Sequence, residues 1–389
     1  MKFPVSARVA QLPFPPISEV KGWLAGRVFP EDRPLVDLCQ AVPDYPPAAE
    51  LTDHLKGLLS DPLVSKYTPD EGLPEVREAV CARYRRMYGA GPSGGQICLT
   101  VGASQAFWLA MVVLCREGDE VIVQLPAYFD HPMALGALGI RPVYARPAGG
   151  GSGLSEAEAL AKLVTPRTRA ILLVSPSNPT GAVLAPATLR RIFELAREKN
   201  IALVLDETYN AFIDGPSHGL FSDPAWTGHF VHLASFGKTY ALTGFRAGAL
   251  VASEGFIRQA LKVQDTMAVC QPRITQEALR YGCDALDGWV ASKRAVMQRR
   301  HQRFREEFLR PGNPFGLAAS GGFFAWVTHP WEGETSRSAA RRLADEANIA
   351  CLPGAAFGPG LEGFLRLAFG NIREEQIPAA AARFRDLPR

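Results

Sequence analysis

Ser235-Phe236-Gly237-Lys238-Thr239-Tyr240-Ala241-Leu242-Thr243-Gly244-Phe245-Arg246-Ala247-Gly248 follows directly on the apolar run Phe230-Val231-His232-Leu233-Ala234. That run reads as a buried strand. A lysine just past such a strand, among small residues and eight positions before an arginine, is an unusual placement, because lysine is rarely buried without a reason. Arg246 and the hydroxyls of Ser235 and Thr243 point to an anion close by. The like charge of Arg246 disfavours the ammonium form of Lys238. A lysine that gives up its proton easily is the kind that forms Schiff bases. The small residues let the backbone come close to a ligand.

Other apolar runs end in equally specific ways. Ile97-Cys98-Leu99-Thr100-Val101 leads into Gly102-Ala103-Ser104-Gln105 and then an apolar helix over 106–115. Free backbone N–H groups at such a helix start bind phosphate. Glu120 to Leu125 is a strand followed by Pro126-Ala127-Tyr128, where an aromatic ring past the strand end can lie flat on a ligand ring. Ala170 to Val174 ends in Ser175-Pro176-Ser177-Asn178-Pro179-Thr180-Gly181, in which either X-Pro bond is a candidate for cis. Ile201 to Leu205 runs straight into Asp206-Glu207-Thr208-Tyr209. A carboxylate there is costly unless a cation or several donors satisfy it. Ala247 to Ala252 is one more strand. Strands alternating with helices from 97 to 252 predict an α/β fold with a parallel, doubly wound sheet. Ligands of such sheets sit beyond the carboxyl ends of the strands. Ser104, Tyr128, Asn178, Asp206 and Lys238 all fall there.

Composition bounds the class. The chain has 389 residues, 47% hydrophobic and 21% charged, with a formal net charge of +3. This is an ordinary globular composition with room for two domains or one large domain and a lobe. The charge is too small to argue for nucleic acid or an anionic membrane. Seven cysteines without C-x-x-C spacing read as reduced thiols of a cytoplasmic protein, and no metal-ligand spacing occurs. Met1 to Arg8 contains no long apolar core, so no secretory signal is expected, and no apolar run reaches the roughly 18 residues of a membrane span. Residues 1–45, rich in proline, read as an arm and irregular lead-in. The glycines at 149–151 and 153 read as a plain loop, since no Gly-Lys-Ser/Thr follows them. Residues 286–309 read as a long helix whose Lys293, Arg294, Arg299, Arg300, Arg303 and Arg305 form a solvated face.

The quoted lysine stretch resembles the lysine motif of the class I and II aminotransferases, enzymes of fold type I that use pyridoxal 5′-phosphate (PLP). The resemblance extends, in the family's order, through Asp37 to Pro47, Tyr67-Thr68 with Gly72, Asn178-Pro179-Thr180-Gly181, Asp206-Glu207-Thr208-Tyr209, Pro353-Gly354-Ala355-Ala356-Phe357-Gly358 and Arg366 within Phe364 to Phe369. It implies a large domain at 46–284 built on a mostly parallel seven-stranded sheet sandwiched by helices. Residues 1–45 and 285–389 would form the arm and a smaller α/β domain. It implies that Lys238 carries PLP as a Schiff base and acts as general acid and base. Asp206 would face the pyridine nitrogen, Tyr209 and Asn178 the phenolate oxygen, and Tyr128 the ring face. The phosphate would lie on Gly102, Ala103, Ser104 and Gln105 with Ser235, Arg246 and, from the neighbouring subunit of a homodimer, Tyr67. Arg366 and Asn178 would hold the substrate α-carboxylate beside Ala41, where the family usually has glycine. The activity implied is ping-pong amino transfer between an L-amino acid and a 2-oxo acid. A PLP-dependent β-lyase of the same fold is the alternative. Trp23, Tyr45, Phe323 and Phe324 lean the substrate toward neutral or aromatic side chains, and neither Arg27 nor Arg273 has a supported role toward a distal carboxylate.

Overall fold

Apolar runs of five to seven residues leave no polar face, so each strand they form is covered on both sides. The structure, a computed structural model, describes residues 3–146, 157–213 and 215–387. The glycine-rich loop expected at 146–156 lies outside the described residues apart from its first position.

Strands β1 (Ile97–Val101), β2 (Glu120–Gln124), β3 (Arg141–Ala145), β4 (Thr168–Val174), β5 (Ala202–Asp206), β6 (Phe230–Ser235) and β7 (Ala247–Val251) form one sheet in the order β1-β7-β6-β5-β4-β2-β3. The period-two pleat sorts each strand between two cores. Ile171, Leu173, Leu203 and Leu205 enter one, and Ala170, Leu172, Ala202 and Val204 the other. Each fully buried Leu or Ile in these runs contributes about 1.5–3 kcal/mol.

Ladders among β2 to β6 are parallel, but β7 runs antiparallel to both β1 and β6. The sheet is thus mostly parallel, as expected. The reason is the connection. Residues 236–246 between β6 and β7 are too few for a crossover, which needs about a dozen or more.

Seven helices matter for the site: α1 (Pro16–Leu24), α2 (Pro74–Tyr88), α3 (Gly102–Leu114), α4 (Asp130–Leu138), α5 (Pro186–Glu198), α6 (Arg273–Ala285) and α7 (Asp287–Phe308). Leu189, Ile192, Phe193 and Ala196 of α5 are buried, as their spacing predicted. The lead-in is less irregular than expected, because it contains α1 and a short strand, Val36–Asp37, paired with Ile349–Ala350. A second sheet, β8 (Gly316–Gly321), β9 (Phe324–Thr328), β10 (Leu352–Pro353) and β11 (Phe364–Leu367), is antiparallel in the order β10-β11-β9-β8.

The basic face of α7 is not wholly solvated. Arg300 is buried and binds Asp44 at 2.6 Å, because the 37–46 segment lies across that side of the helix. Among the described residues no helix is long and apolar enough to cross a membrane.

Candidate active site

The carboxyl ends of β1, β2, β4, β5 and β6 open on one cavity of about 480 Å³, a size that takes a small cofactor or substrate. Ala103, Ser104, Tyr128, Asn178, Asp206, Tyr209, Ser235, Lys238, Arg246, Arg366 and Ala41 all line it. Gly102 lies behind Arg246, and Gln105 turns back so that its Oε1 accepts the Val101 N–H at 2.6 Å. Tyr67 stands apart from the cavity at 81% exposure.

Lys238 sits where the backbone leaves β6, and its Nζ donates to the Ala41 carbonyl. Burial, then the charges of Arg246 and Arg366, push its pKa from 10.5 down to about 8. The side chain therefore gives up its proton far more readily than an ordinary lysine, and it is a free amine above about pH 8. Ala41 occupies the family's glycine position without strain, since its φ is not among the positive values.

Asp206 is 3% exposed. Burial alone would raise its pKa, but His131 Nε2 at 3.2 Å and two hydrogen bonds from Thr208, N–H at 2.9 Å and Oγ1–H at 2.7 Å, hold it below its ordinary value. It is thus an anion in an apolar wall, suited to a cationic ring nitrogen. The sequence reading missed His131. It lies in the first turn of α4, 75 positions before Asp206 (206 − 131), and no local pattern joins the two.

The phosphate end is built from the N-terminus of α3. The helix starts at Gly102 itself, without the turn expected before 106, and Ser104 lies inside its first turn. Gly102 has φ +76°, and a Cβ there would come within 2.5 Å of the Arg246 guanidinium. Helix dipole, guanidinium and the hydroxyls of Ser104, Ser235 and Thr243 converge on this corner.

At the opposite end Arg366, 1% exposed, donates to Asn178 Oδ1 at 3.1 Å and to the Cys39 carbonyl, and it packs over the rings of Phe324 and Phe357. Its partners are neutral rather than the carboxylate expected for a buried arginine, and its buried Nε has no partner among the described residues. Burial lowers its pKa, against the opposing pull of Cys39, Tyr209 and Tyr128. A planar fork of this kind grips a carboxylate in two places. Tyr209 packs its ring on Phe323 and Phe324. Tyr128 is half-buried and donates to Asp130 Oδ2 at 2.5 Å; desolvation and then the Asp130 charge raise its pKa well above the usual phenol value.

PLP fits this donor set. The corner at Gly102 and Arg246 accepts a phosphate, Asp206 is a buried anion for the ring nitrogen, Lys238 is a depressed-pKa amine, and Arg366 has donor capacity to spare. Some expectations about the side-chain end fail. Trp23, Tyr45, Phe323 and Phe324 are not among the lining residues, which instead include Ile17, Gln40, Val42, Trp108 and Phe129. Arg27 binds Asp345 at 2.5 Å and Arg273 lies 3.7 Å from Glu277, so each is already paired.

The family described as Aminotransferase class I and II matches residues 33–384. The chain is 28% identical over 388 residues to aromatic aminotransferase ISS1 of Arabidopsis thaliana, covering 98% of this chain and 95% of that one. It is 29% identical over 352 residues to an aspartate aminotransferase of Pyrococcus abyssi, covering 88% and 89%. The solved aspartate aminotransferase from Thermus thermophilus with maleate superposes with a TM-score of 0.89 at 26% identity, covering 98% and 99%. These relatives favour amino transfer over the β-eliminating lyase that the sequence left open. The architecture is fold type I and the enzyme is PLP-dependent. On the match across nearly its whole length, this chain belongs to the class I and II aminotransferase family.

Proposed function

We propose that this aminotransferase prefers amino acids with neutral, and especially aromatic, side chains. The observation that carries this is the distribution of cations. Among the described residues lining the cavity the cations other than histidine are Lys238, Arg246 and Arg366. Each has a role at the lysine, phosphate or α-carboxylate end, while Ile17, Val42, Trp108 and Phe129 bound the remainder. A distal carboxylate placed there loses water without gaining a partner, at a cost of about 2 kcal/mol or more, roughly 30-fold.

In this reading Lys238 is the Schiff-base lysine. Freed once the substrate amine takes its place, its Nζ would accept the proton from the substrate Cα and then donate it onward as general acid. Bound PLP supplies the electron sink. Asp206 keeps a proton on the ring nitrogen, with His131 and Thr208 holding the carboxylate in place. Tyr209 and Asn178 would hold the phenolate oxygen, and Tyr128 would cover the ring. The helix start Gly102-Ala103-Ser104-Gln105, with Ser235 and Arg246, would hold the phosphate. Arg366 with Asn178 orients the α-carboxylate beside Ala41. The exposure of Tyr67 suits a homodimer in which it reaches the partner's phosphate site. The large domain spans 46–284, with 1–45 and 285–389 forming the rest, and the compartment is the cytoplasm.

The test is a half-reaction panel on the purified holoenzyme. Phenylalanine and tyrosine are expected to exceed aspartate and glutamate in kcat/KM by about 30-fold or more. Equal or greater efficiency with aspartate overturns the preference.

A further inference from the structure

Successive residues leaving a strand point to opposite faces of the sheet. At the end of β5 this gives one short segment two cavities. Asp206, Thr208 and Tyr209 line the cavity described above, whereas Glu207 and Asn210 line a second one of about 380 Å³. The second cavity lies between the last turns of α2, the first turns of α7 and that segment.

Arg83 and Arg86 of α2 and Arg294 of α7 bring three guanidiniums to it, against the carboxylates of Asp287 and Glu207. Both carboxylates are engaged. Asp287 lies 3.4 Å from Arg83 and 2.9 Å from Arg86. Glu207 Oε2 accepts from Tyr88 OH at 2.5 Å, His232 Nε2 at 2.9 Å and His218 Nε2 at 3.1 Å. Arg294 is different. It donates through Nε to the Ala211 carbonyl at 2.8 Å, and its two terminal nitrogens have no partner among the described residues. Asn210 donates one amide hydrogen to Tyr88 at 2.9 Å and keeps a second. Met87, Val290 and Ala291 supply an apolar wall.

Glu207, His218 and His232 have the composition of a metal centre, with ligand atoms within 4.8 Å of one another. Their hydrogen bonds assign them otherwise. The Leu220 N–H donates to His218 Nδ1 at 3.2 Å, so the ring proton lies on Nε2 and points at Glu207. The cluster is a fixed floor, and the unspent capacity lies above it at Arg294 and Asn210.

A guanidinium with two unused nitrogens suits a carboxylate. An apolar wall suits a hydrocarbon body, and the volume falls in the range for small ligands. We propose that the second cavity binds a small organic carboxylate with an apolar body, gripped by Arg294, and that its occupancy is felt in the catalytic cavity through the shared segment 206–210. This holds whatever amino acid the enzyme prefers.

The experiment is fluorine NMR of the holoenzyme titrated with para-fluorophenylacetate. Two bound environments per chain are expected, one at Arg366 and one at Arg294. Arg294→Gln weakens the second about tenfold or more, the scale of a lost charge-assisted pair, and spares the first. Ala291→Phe, at an exposed position on the rim, removes the same environment without touching a buried group; it decides the matter if Arg294→Gln fails to fold. Filling the second environment shifts the cofactor's visible band in the wild type and not in Ala291→Phe. A single environment in the wild type, or two that survive in both variants, overturns the site. Loss of the environment with no band shift in the wild type overturns the coupling.

Discussion

Asp206→Asn isolates charge from shape. Asn has nearly the volume of Asp, and its Oδ1 can still accept the two Thr208 hydrogen bonds that now run at 2.9 and 2.7 Å. What disappears is the negative charge in a side chain that is 3% exposed. Removing one member of a buried ion pair costs about 3–5 kcal/mol. If that charge holds a proton on the ring nitrogen during Cα deprotonation, the rate falls roughly 10²- to 10³-fold or more. The assay is a stopped-flow half-reaction at saturating phenylalanine, read beside cofactor content and melting temperature. The pH range matters too. The Asp206 pKa lies below its ordinary value, so its charge persists to lower pH than that of an exposed Asp, and an acid limb above the ordinary carboxylate range belongs to another group. A folded, cofactor-loaded Asp206→Asn enzyme within about threefold of wild type would refute the role.

Other outcomes follow from the same geometry. Because the Lys238 pKa is pushed down from 10.5 to about 8, the amine is charged below pH 8 and neutral above it. Capture of added PLP by the cofactor-free chain should therefore slow about tenfold per pH unit below 8 and level off above it; a flat profile from pH 6 to 9 contradicts the shift. Gly181→Ala should destabilise the chain by about 2–5 kcal/mol in urea, adding left-handed strain to overpacking. Gly181 has φ +72°, and a Cβ there would lie 2.2 Å from the Gly321 carbonyl oxygen, where the large sheet meets β8. A loss under about 0.5 kcal/mol would show that this backbone contact yields easily.

Much of the site could be read from the chain because one physical fact repeats. A polar residue at or just beyond the carboxyl end of an apolar strand is out of place unless it serves a ligand, and Asn178, Asp206 and Lys238 all lie within four residues of such an end. What escaped was whatever depends on two distant segments. A five-residue apolar run carries no direction, so the antiparallel course of β7 had to come from the short 236–246 connection. His131 looks like any helical histidine until β5 brings Asp206 to it. Arg300 reads as surface until Asp44 folds over it. The Glu207–His218–His232 cluster joins the end of β5, a loop and the interior of β6, with no ligand spacing to betray it. Substrate preference was least legible, since the aromatic residues singled out proved to pack elsewhere while Trp108 and Phe129 reached the cavity.

The most direct measurement is chemical. Holoenzyme reduced with borohydride, digested and sequenced by mass spectrometry should carry the cofactor on the peptide containing Ser235-Phe236-Gly237-Lys238, at the lysine. A cofactor adduct on any other lysine, or none on Lys238 in a fully coloured preparation, contradicts the account.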